Sequence, residues 1–173
     1  MSKFPPLPIV NEEDEVIGEA TLQEILNKGL IHRIVHVLVE DEDGKVLLQK
    51  RGPNVATNAG KWDFSAAGYV DLGESYGDAA KRELAEELGL SGRELVQLSL
   101  GRSSETHKDF TTHRFVATYK TVVPVDVQVK VDPSEVAEVE WFDQPGLKEL
   151  LALYADEVTI YTAQWLRENY LSR

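Results

Sequence analysis

Three glutamates stand close together in the segment GYVDLGESYGDAAKRELAEELGL, which spans residues 68–90. In a helix each residue turns the chain by about 100°, so Glu86 lies about 60° behind Glu83, and Glu87 about 40° ahead of it. The three carboxylates then share one narrow stripe, where like charges repel unless a cation neutralises them. Hard carboxylate oxygens suit Mg²⁺ or Mn²⁺, and magnesium commonly joins protein carboxylates to substrate phosphates. The stripe therefore predicts a divalent-cation site that handles a phosphate compound.

A solvated acidic helix face is the competing interpretation, and for an arbitrary acidic run it is the more frequent one. Features outside the stripe favour the metal site here. Arg82 stands beside Glu83, where it can orient that carboxylate, and Glu74 lies upstream at the start of the helix. Gly68 and Gly73 bracket a loop that can bring backbone carbonyls close to the stripe.

The same residues form a complete Nudix box, so the chain resembles the Nudix hydrolase superfamily. No fixed position departs from the pattern, whose members here are Gly68, Glu74, Arg82, Glu83, Leu84, Glu86, Glu87, Gly89 and Leu90. The resemblance implies hydrolysis of a phosphoanhydride bond in a nucleoside diphosphate linked to another group X, with Mg²⁺ or Mn²⁺ as cofactor. It also implies an α/β fold, in which a mixed β-sheet is sandwiched between helices and the box forms a loop–helix–loop.

The resemblance assigns roles to individual residues of the box. The implied metal ligands are the carboxylates of Glu83, Glu86, Glu87 and, as an auxiliary ligand or a supporting residue, Glu74, together with the backbone carbonyl of Ala67 or Gly68. Arg82 is implied to fix Glu83 rather than to contact the substrate.

The general base is left open among four glutamates. Metal ions lower the pKa of a bound water, and a carboxylate can then take its proton. Glu83 and Glu87 are candidates inside the box, whereas many family members use a residue on a loop near the last strands. Glu135 and Glu138 occupy that region of this chain.

Beyond the box, the chain resembles the Nudix branch related to isopentenyl-diphosphate isomerase. The likeness rests on the acidic N-terminal hairpin, on His32-Arg33, and on the phrases GKVLLQKR and KWDFSAAGYV. The isomerases use a cysteine just before the box, where this chain has Ser65-Ala66-Ala67, and they tend to have a degenerate box. Hydrolysis is therefore favoured over isomerisation. A nucleotide-sensing module with an idle site is a further alternative, which the complete set of carboxylates disfavours.

Four residues outside the acidic stripe are candidates for substrate contacts. Arg51 ends a strand where it can hold the distal phosphate, since arginine grips phosphate with paired hydrogen bonds, and Lys61 lies nearby in sequence. Trp62 and Phe110 can stack on a nucleobase. The structural alternatives are a surface charge at a strand end for Arg51 and core packing for Trp62.

Hydrophobic patterning divides the chain into the elements that must position this site. A hairpin at residues 9–17 and a helix capped by Thr21, with Glu24 completing a capping box, form an N-terminal extension over residues 1–30. Residues 31–173 are expected to form the Nudix domain, in a chain with one globular domain overall. Its strands are expected at residues 31–40, 45–51, 62–67, 95–100, 112–121, 125–131 and 136–142, and its helices at residues 75–88, 146–153 and 158–170.

The charge balance narrows the class of partner. The 173 residues carry 18 Lys+Arg and 30 Asp+Glu, which gives a formal net charge of −12. This excess of acid argues against a sequence-independent binder of nucleic-acid polymers and against adsorption to an anionic membrane. It would also repel a phosphate substrate, and a bound divalent cation resolves that conflict. We therefore expect a small-molecule diphosphate as the partner.

The sequence has no cysteine, which excludes disulfides, thiolate nucleophiles and cysteine-ligated zinc. The N-terminal MSKFPPLPIV lacks the apolar run of a signal peptide, and no apolar run is long enough for a transmembrane helix. A cytoplasmic protein is expected on these grounds. The N-terminal arm can pack on its own domain or on a second copy in a homodimer, and the sequence leaves both open.

Overall fold

A long central strand organises the computed structural model, which describes residues 5–55 and 57–172. Within these residues the chain forms nine strands, namely β1 (Leu7–Val10), β2 (Val16–Ala20), β3 (Ile31–Asp41), β4 (Val46–Arg51), β5 (Trp62–Asp63), β6 (Ala66–Tyr69), β7 (Val96–Thr106), β8 (Thr111–Val123) and β9 (Val136–Phe142). The described helices are α1 (Leu22–Lys28), α2 (Tyr76–Leu88), α3 (Gln144–Leu153) and α4 (Ile160–Asn169), with a short 3₁₀ turn at Ala155–Glu157. None of these described helices combines the length and the apolar character needed to cross a bilayer.

Both edges of β3 are paired, and this sets the topology of the sheet. β8 runs parallel to β3 from Ile31, opposite His113, to Asp41, opposite Val123. The other edge of β3 pairs antiparallel with β1, β6 and β4 along its length. β7 extends the sheet beyond β8, while β5 and β9 both pair with β4. A parallel pair among antiparallel pairs makes this the mixed sheet that the sequence predicts.

Alternation along β3 directs its side chains into two separate cores. Val35 belongs to a buried cluster that includes Leu84 of α2. Leu38 points to the opposite face and belongs to a second cluster, which includes Leu166 of α4 and residues of α3. The sheet therefore lies between helices, and the predicted α/β fold class is confirmed.

The N-terminal hairpin and helix are present as the sequence predicts. β1 pairs with β2 and also joins the main sheet, where Ile9 lies opposite His32 of β3. Thr21 and Glu24 form the capping box at the start of α1, and Gly29 ends that helix with a φ of 62°. The extension is thus continuous with the sheet that carries the rest of the chain.

The strand predicted at residues 62–67 is wrong in one respect, because two short strands replace it. Asp63 pairs with Gln49 of β4, whereas the chain from Ala66 onward pairs with β3. β4 itself pairs with β3 only as far as Leu47. Because of this break, β5 pairs with β4 while β6 pairs with β3, at the point where β3 and β4 diverge. The site described below lies between these two parts of the sheet.

The strand predicted at residues 125–131 is also wrong, since none of these described residues lies in a strand. The segment instead meets the C-terminal end of α2, where the amide of Lys130 donates to the carbonyl of Leu88 at 3.0 Å. Val127 and Val129 pack on the cluster beneath α2. The partial burial of Val127, Val129 and Val131 alternates as predicted, but carbonyls at the end of α2 rather than a neighbouring strand accept from the backbone.

Candidate active site

Helix α2 carries the predicted metal ligands, and local signals fix both of its ends. Ser75 caps the N-terminus by accepting a hydrogen bond from the amide of Asp78, and Gly89 ends the helix with a φ of 69°. Leu84 is buried against the sheet. This anchoring turns Glu87 toward strands β4 and β6, where its carboxylate finds its partners.

Arg82 joins the carboxylates of the box to the loop that precedes the helix. Its Nε and Nη2 donate to the two carboxylate oxygens of Glu74 at 3.0 and 2.9 Å, and Nη2 also donates to the carbonyl of Tyr69 at 2.9 Å. Its Nη1 donates to Glu83 at 2.6 Å and to Glu86 at 3.3 Å. This geometry is the one expected of a residue that fixes Glu83, and it uses the planar fork that only arginine offers.

Glu87 is held from the sheet side. Its Oε2 accepts a hydrogen bond from Nε2 of Gln49 at 2.9 Å and another from the amide of Ala67 at 3.0 Å. Gln49 is fully enclosed, with 1% of its surface exposed. Gln49 was not predicted as a site residue, and its only signal in the sequence is a polar residue within the apolar run of β4.

Burial alters the acidity of two of the box carboxylates. Glu83 and Glu87 are 8% and 4% exposed. Because burial disfavours the charged form, it raises the pKa of Glu83 to about 7 and that of Glu87 to about 8. The neighbouring guanidinium of Arg82 lowers the pKa of Glu83 in part, and the amide of Ala67 does so for Glu87. A cation between these carboxylates would restore their charged form.

The donors at this position fit a hard divalent ion. A β-carbon on Gly68 would overlap the carboxylate of Glu83, so the bare backbone of β6 leaves the space that this carboxylate occupies. Across residues 5–55 and 57–172, no three acidic or imidazole side chains are already gathered as a metal site. The carboxylates are hydrogen-bonded to Arg82 and Gln49 instead. Their oxygens match Mg²⁺ or Mn²⁺ in chemistry, and binding requires them to turn toward one another.

A cavity of about 530 Å³ opens beside the acidic helix. Glu83, Glu86 and Glu87 line it together with Glu135, which lies just before β9. Glu138, the fourth candidate for the general base, is exposed on β9 and is not among the described lining residues. The volume is in the range of small-molecule sites. Three of the four candidate bases therefore face one cavity.

Arg51 is the one predicted substrate contact that lines this cavity in the described part of the chain. Its Nη1 donates to the carboxylate of Asp63 at 3.1 Å, and its Nε donates to the carbonyl of Thr57 at 3.0 Å. The side chain is 19% exposed. Arg51 therefore combines a structural ion pair with a position at the cavity wall.

The other predicted substrate contacts lie elsewhere, since Lys61, Trp62 and Phe110 are not among the described lining residues. Trp62 is 6% exposed and packs edge-on against Phe142, with ring centroids 5.5 Å apart. Phe110 packs on His107 with centroids 4.8 Å apart. The placement of Trp62 favours the core-packing interpretation, and the binding roles of all three stay predictions.

The start of helix α4 lies beside the cavity, where its threonine hydroxyls hold the buried carboxylate of Asp63 from β5. Asp63 is 5% exposed and accepts hydrogen bonds from the hydroxyl of Thr162 at 2.6 Å and from that of Thr159 at 3.2 Å. Thr159 and Tyr161 line the cavity with His36. Burial lowers the pKa of His36 to about 4, so this imidazole is neutral at physiological pH.

Residues on β7 and β8 complete the wall of the cavity, and none of them was predicted as a site residue from the sequence. Arg114 and Glu105 form an ion pair at 2.9 Å, and both line the cavity. The amide nitrogen Nδ2 of Asn58 donates to the other oxygen of Glu105 at 3.0 Å. Only the register of the β7–β8 hairpin brings the pair together, so spacing along the chain gave no signal for it.

Comparison with known proteins identifies the family. The family model of the NUDIX domain matches residues 30–164. The isopentenyl-diphosphate Delta-isomerase of Burkholderia multivorans is 31% identical over 156 residues, which cover 90% of this chain and 86% of that protein. The uncharacterized Nudix hydrolase SCO1686 of Streptomyces coelicolor is 42% identical over 86 residues, which cover 50% of this chain and 48% of that protein.

A solved structure shares the fold over almost the whole chain. DR0079 from Deinococcus radiodurans superimposes with a TM-score of 0.77 at 24% identity, covering 96% of this chain and 99% of that one. The chain belongs to the Nudix family. Within it, the intact box defines the class as the Nudix-type pyrophosphohydrolases, enzymes that act on acid anhydrides between phosphates.

Proposed function

We propose that this protein hydrolyses, with Mg²⁺ or Mn²⁺, a phosphoanhydride bond in a nucleoside diphosphate linked to X or in a related small diphosphate. The observation that carries the proposal is the pair of buried carboxylates, Glu83 and Glu87, in one cavity, where Gly68 leaves space for the carboxylate of Glu83. Glu83 shares the single guanidinium of Arg82 with Glu74 and Glu86, and the described hydrogen bonds to Glu87 come from the neutral donors Gln49 and Ala67, so the buried negative charge is costly unless it serves an ion. The chain has no cysteine that would need an oxidising compartment, which supports a cytoplasmic enzyme.

The ion would be held by Glu83, Glu86 and Glu87. Backbone carbonyls of Ala67 or Gly68 are further candidate ligands, because β6 lies against the same carboxylates. Glu74 would act from outside this set, through its paired hydrogen bonds with Arg82. When bound, such an ion neutralises phosphate charge and lowers the pKa of a water.

The protein's own groups then perform the proton transfer and the orientation of the substrate. Glu135 is the favoured general base, since it lines the cavity together with Glu83 and Glu87 and lies just before β9. Glu83 and Glu87 stay alternatives. Arg51 is suited to hold the distal phosphate, because its guanidinium already stands at the cavity wall. Arg82 is committed to the box and would orient Glu83 rather than touch the substrate.

Isomerisation of isopentenyl diphosphate is the second candidate, and the 31% identical relative favours it. The strand before the box has Ala66 and Ala67 and no thiol, so the chemistry expected of that branch lacks its cysteine. Its substrate would also need an apolar cavity, whereas the lining of this one includes, outside the box, the ion pairs Arg51–Asp63 and Arg114–Glu105. A sensor with an idle site needs none of the box carboxylates.

The test is hydrolysis of a panel of nucleotide sugars, nucleoside di- and triphosphates, dinucleotides and prenyl diphosphates with Mg²⁺ or Mn²⁺. We expect metal-dependent release of phosphate or of a nucleoside monophosphate, and loss of turnover in Glu86→Gln and Glu87→Gln with circular dichroism unchanged. Glu149→Gln, an exposed glutamate on α3, is the matched control. Full activity of both box variants at saturating metal would refute the proposed roles. Conversion of isopentenyl diphosphate without phosphate release would establish the isomerase instead.

A further inference from the structure

The ion pair between Arg114 and Glu105 lies on β7 and β8, away from helix α2, and both of its side chains are mostly buried. From Ala67 of β6, whose amide touches Glu87, the sheet continues through β3 to β8. Ala67 lies opposite His36 of β3, whereas Arg114 lies opposite His32, so two strand spacings across and four residues along separate them by about 16 Å. The side chains of Arg114 and Glu105 are 12% and 7% exposed. A small substrate whose diphosphate lies at the box carboxylates would extend its remaining group toward this wall.

The Arg114–Glu105 pair has a hydrogen-bond donor that its contacts with the described residues do not use. Glu105 uses one oxygen for Arg114 and the other for Asn58. The Nε of Arg114 is buried and has no hydrogen-bond partner among the described residues. A guanidinium carries five N–H donors in a fixed fork, and only Nη2 of Arg114 donates to Glu105. A group that accepts hydrogen bonds would complete this side of the cavity.

We propose that the Arg114–Glu105 pair determines which substituent of the diphosphate the cavity accepts, selecting a polar, hydrogen-bonding group against an alkyl chain. This inference rests on the proposed function, because it takes the diphosphate to lie at the box. A sugar hydroxyl or a base carbonyl can accept from the guanidinium. An alkyl chain would strip water from the ion pair and return no hydrogen bond. The pair thus argues against an alkyl diphosphate as the substrate of this chain.

The test compares Arg114→Met with the wild type on ADP-ribose, UDP-glucose and isopentenyl diphosphate, each with Mg²⁺. We expect kcat/KM for the better polar probe to fall about 10- to 100-fold, mainly through KM, because a hydrogen bond to a charged group is lost. The value for isopentenyl diphosphate should stay or rise. Arg102→Met is the matched control: Arg102 also pairs with a glutamate and lies over an aromatic ring, that of Phe115, but is not among the described lining residues. We expect it to match the wild type on every probe.

Glu105→Gln keeps the test decisive if Arg114→Met does not fold. Glutamine retains the shape and an acceptor for Asn58 but removes the charge that orients Arg114, so KM for the polar probe should rise while kcat stays within about twofold. Equal effects on polar and alkyl probes, or a wild type that prefers isopentenyl diphosphate, would overturn the inference and leave hydrolysis intact. A wild type that releases product from no member of the full substrate panel would refute the proposed function itself, and this inference with it.

Discussion

A β-carbon on Gly68 would occupy the space of the Glu83 carboxylate, so glycine at this position and a buried glutamate on α2 depend on each other. The φ of Gly68 is not in the left-handed region, so the demand is for space and not for backbone freedom.

We expect Gly68→Ala to displace Glu83 and to lower kcat/KM about 100-fold, because small misplacements of catalytic groups cost rates of that order. The fold should survive, as judged by circular dichroism. Gly101→Ala is the control, since Gly101 lies in an extended strand and a β-carbon there meets nothing within 4 Å. Wild-type activity in Gly68→Ala would show that the carboxylate of Glu83 need not lie where it does.

The hydrogen bond from Gln49 to Glu87 leads to a second prediction, which concerns metal affinity. Gln49→Met keeps the approximate shape but removes a hydrogen bond to Glu87, which leaves a buried carboxylate oxygen with one partner fewer. We expect the Mg²⁺ concentration for half-maximal rate to rise about 10- to 100-fold, as is typical of groups that orient metal ligands. Gln164→Met on the exposed side of α4 is the comparison. An unchanged metal requirement would argue against Glu87 as a ligand.

Arg82→Lys tests the fork that joins Glu74, Glu83 and Tyr69. A lysine keeps the charge but reaches one of these partners at a time, so the loop before α2 should loosen. We expect kcat to fall about 100-fold and the free energy of unfolding to fall by about 1–3 kcal/mol. Activity and urea unfolding, measured on the same preparation, check both parts. A variant with normal kcat and lowered stability would reduce Arg82 to a structural role.

The raised pKa of Glu87, about 8, predicts how stability depends on pH without metal. In the folded protein the Glu87 carboxyl keeps its proton until the pH approaches 8, whereas in the unfolded chain it loses the proton above its ordinary pKa of 4.5. Its contribution to the free energy of unfolding is therefore fully present below pH 4.5 and is lost as pH rises through 8. In EDTA we expect unfolding free energy to drop by a few kcal/mol between pH 5 and pH 8.

Two comparisons isolate that effect. Glu87→Gln should make the decline smaller, because it removes one titrating group while the fold stays, and Glu83, with its pKa raised to about 7, accounts for the remainder. Mg²⁺ should raise the melting temperature more at pH 8 than at pH 5.5, since ligands must be deprotonated to bind. A decline of equal size in Glu87→Gln would mean that another group is responsible.

Local signals made much of the fold predictable. The capping box at Thr21 and Glu24, the glycine after each of the first two helices and the spacing of Glu83, Glu86 and Glu87 are all short-range features that a sequence displays directly. Residues 125–131 show where such reasoning stops: alternating burial indicates a strand, but the partner of its backbone turned out to be a helix end. Gln49, Glu105 and Arg114 were missed for a related reason. Their contacts with other site residues depend on how strands align across the sheet, and the spacing of residues along the chain does not reveal that alignment.

The hydrogen bonds between Asp63 and the start of α4 have a practical consequence for where a recombinant fragment of this protein should end. The matched family stretch stops at residue 164, inside a helix that continues to Asn169. A recombinant fragment cut at that boundary would keep Thr159 and Thr162 but lose Trp165 and Leu166, both buried beneath the sheet. Expression plasmids should therefore run past residue 164, since a fragment cut there would lose the core packing that supports α4 beside the cavity.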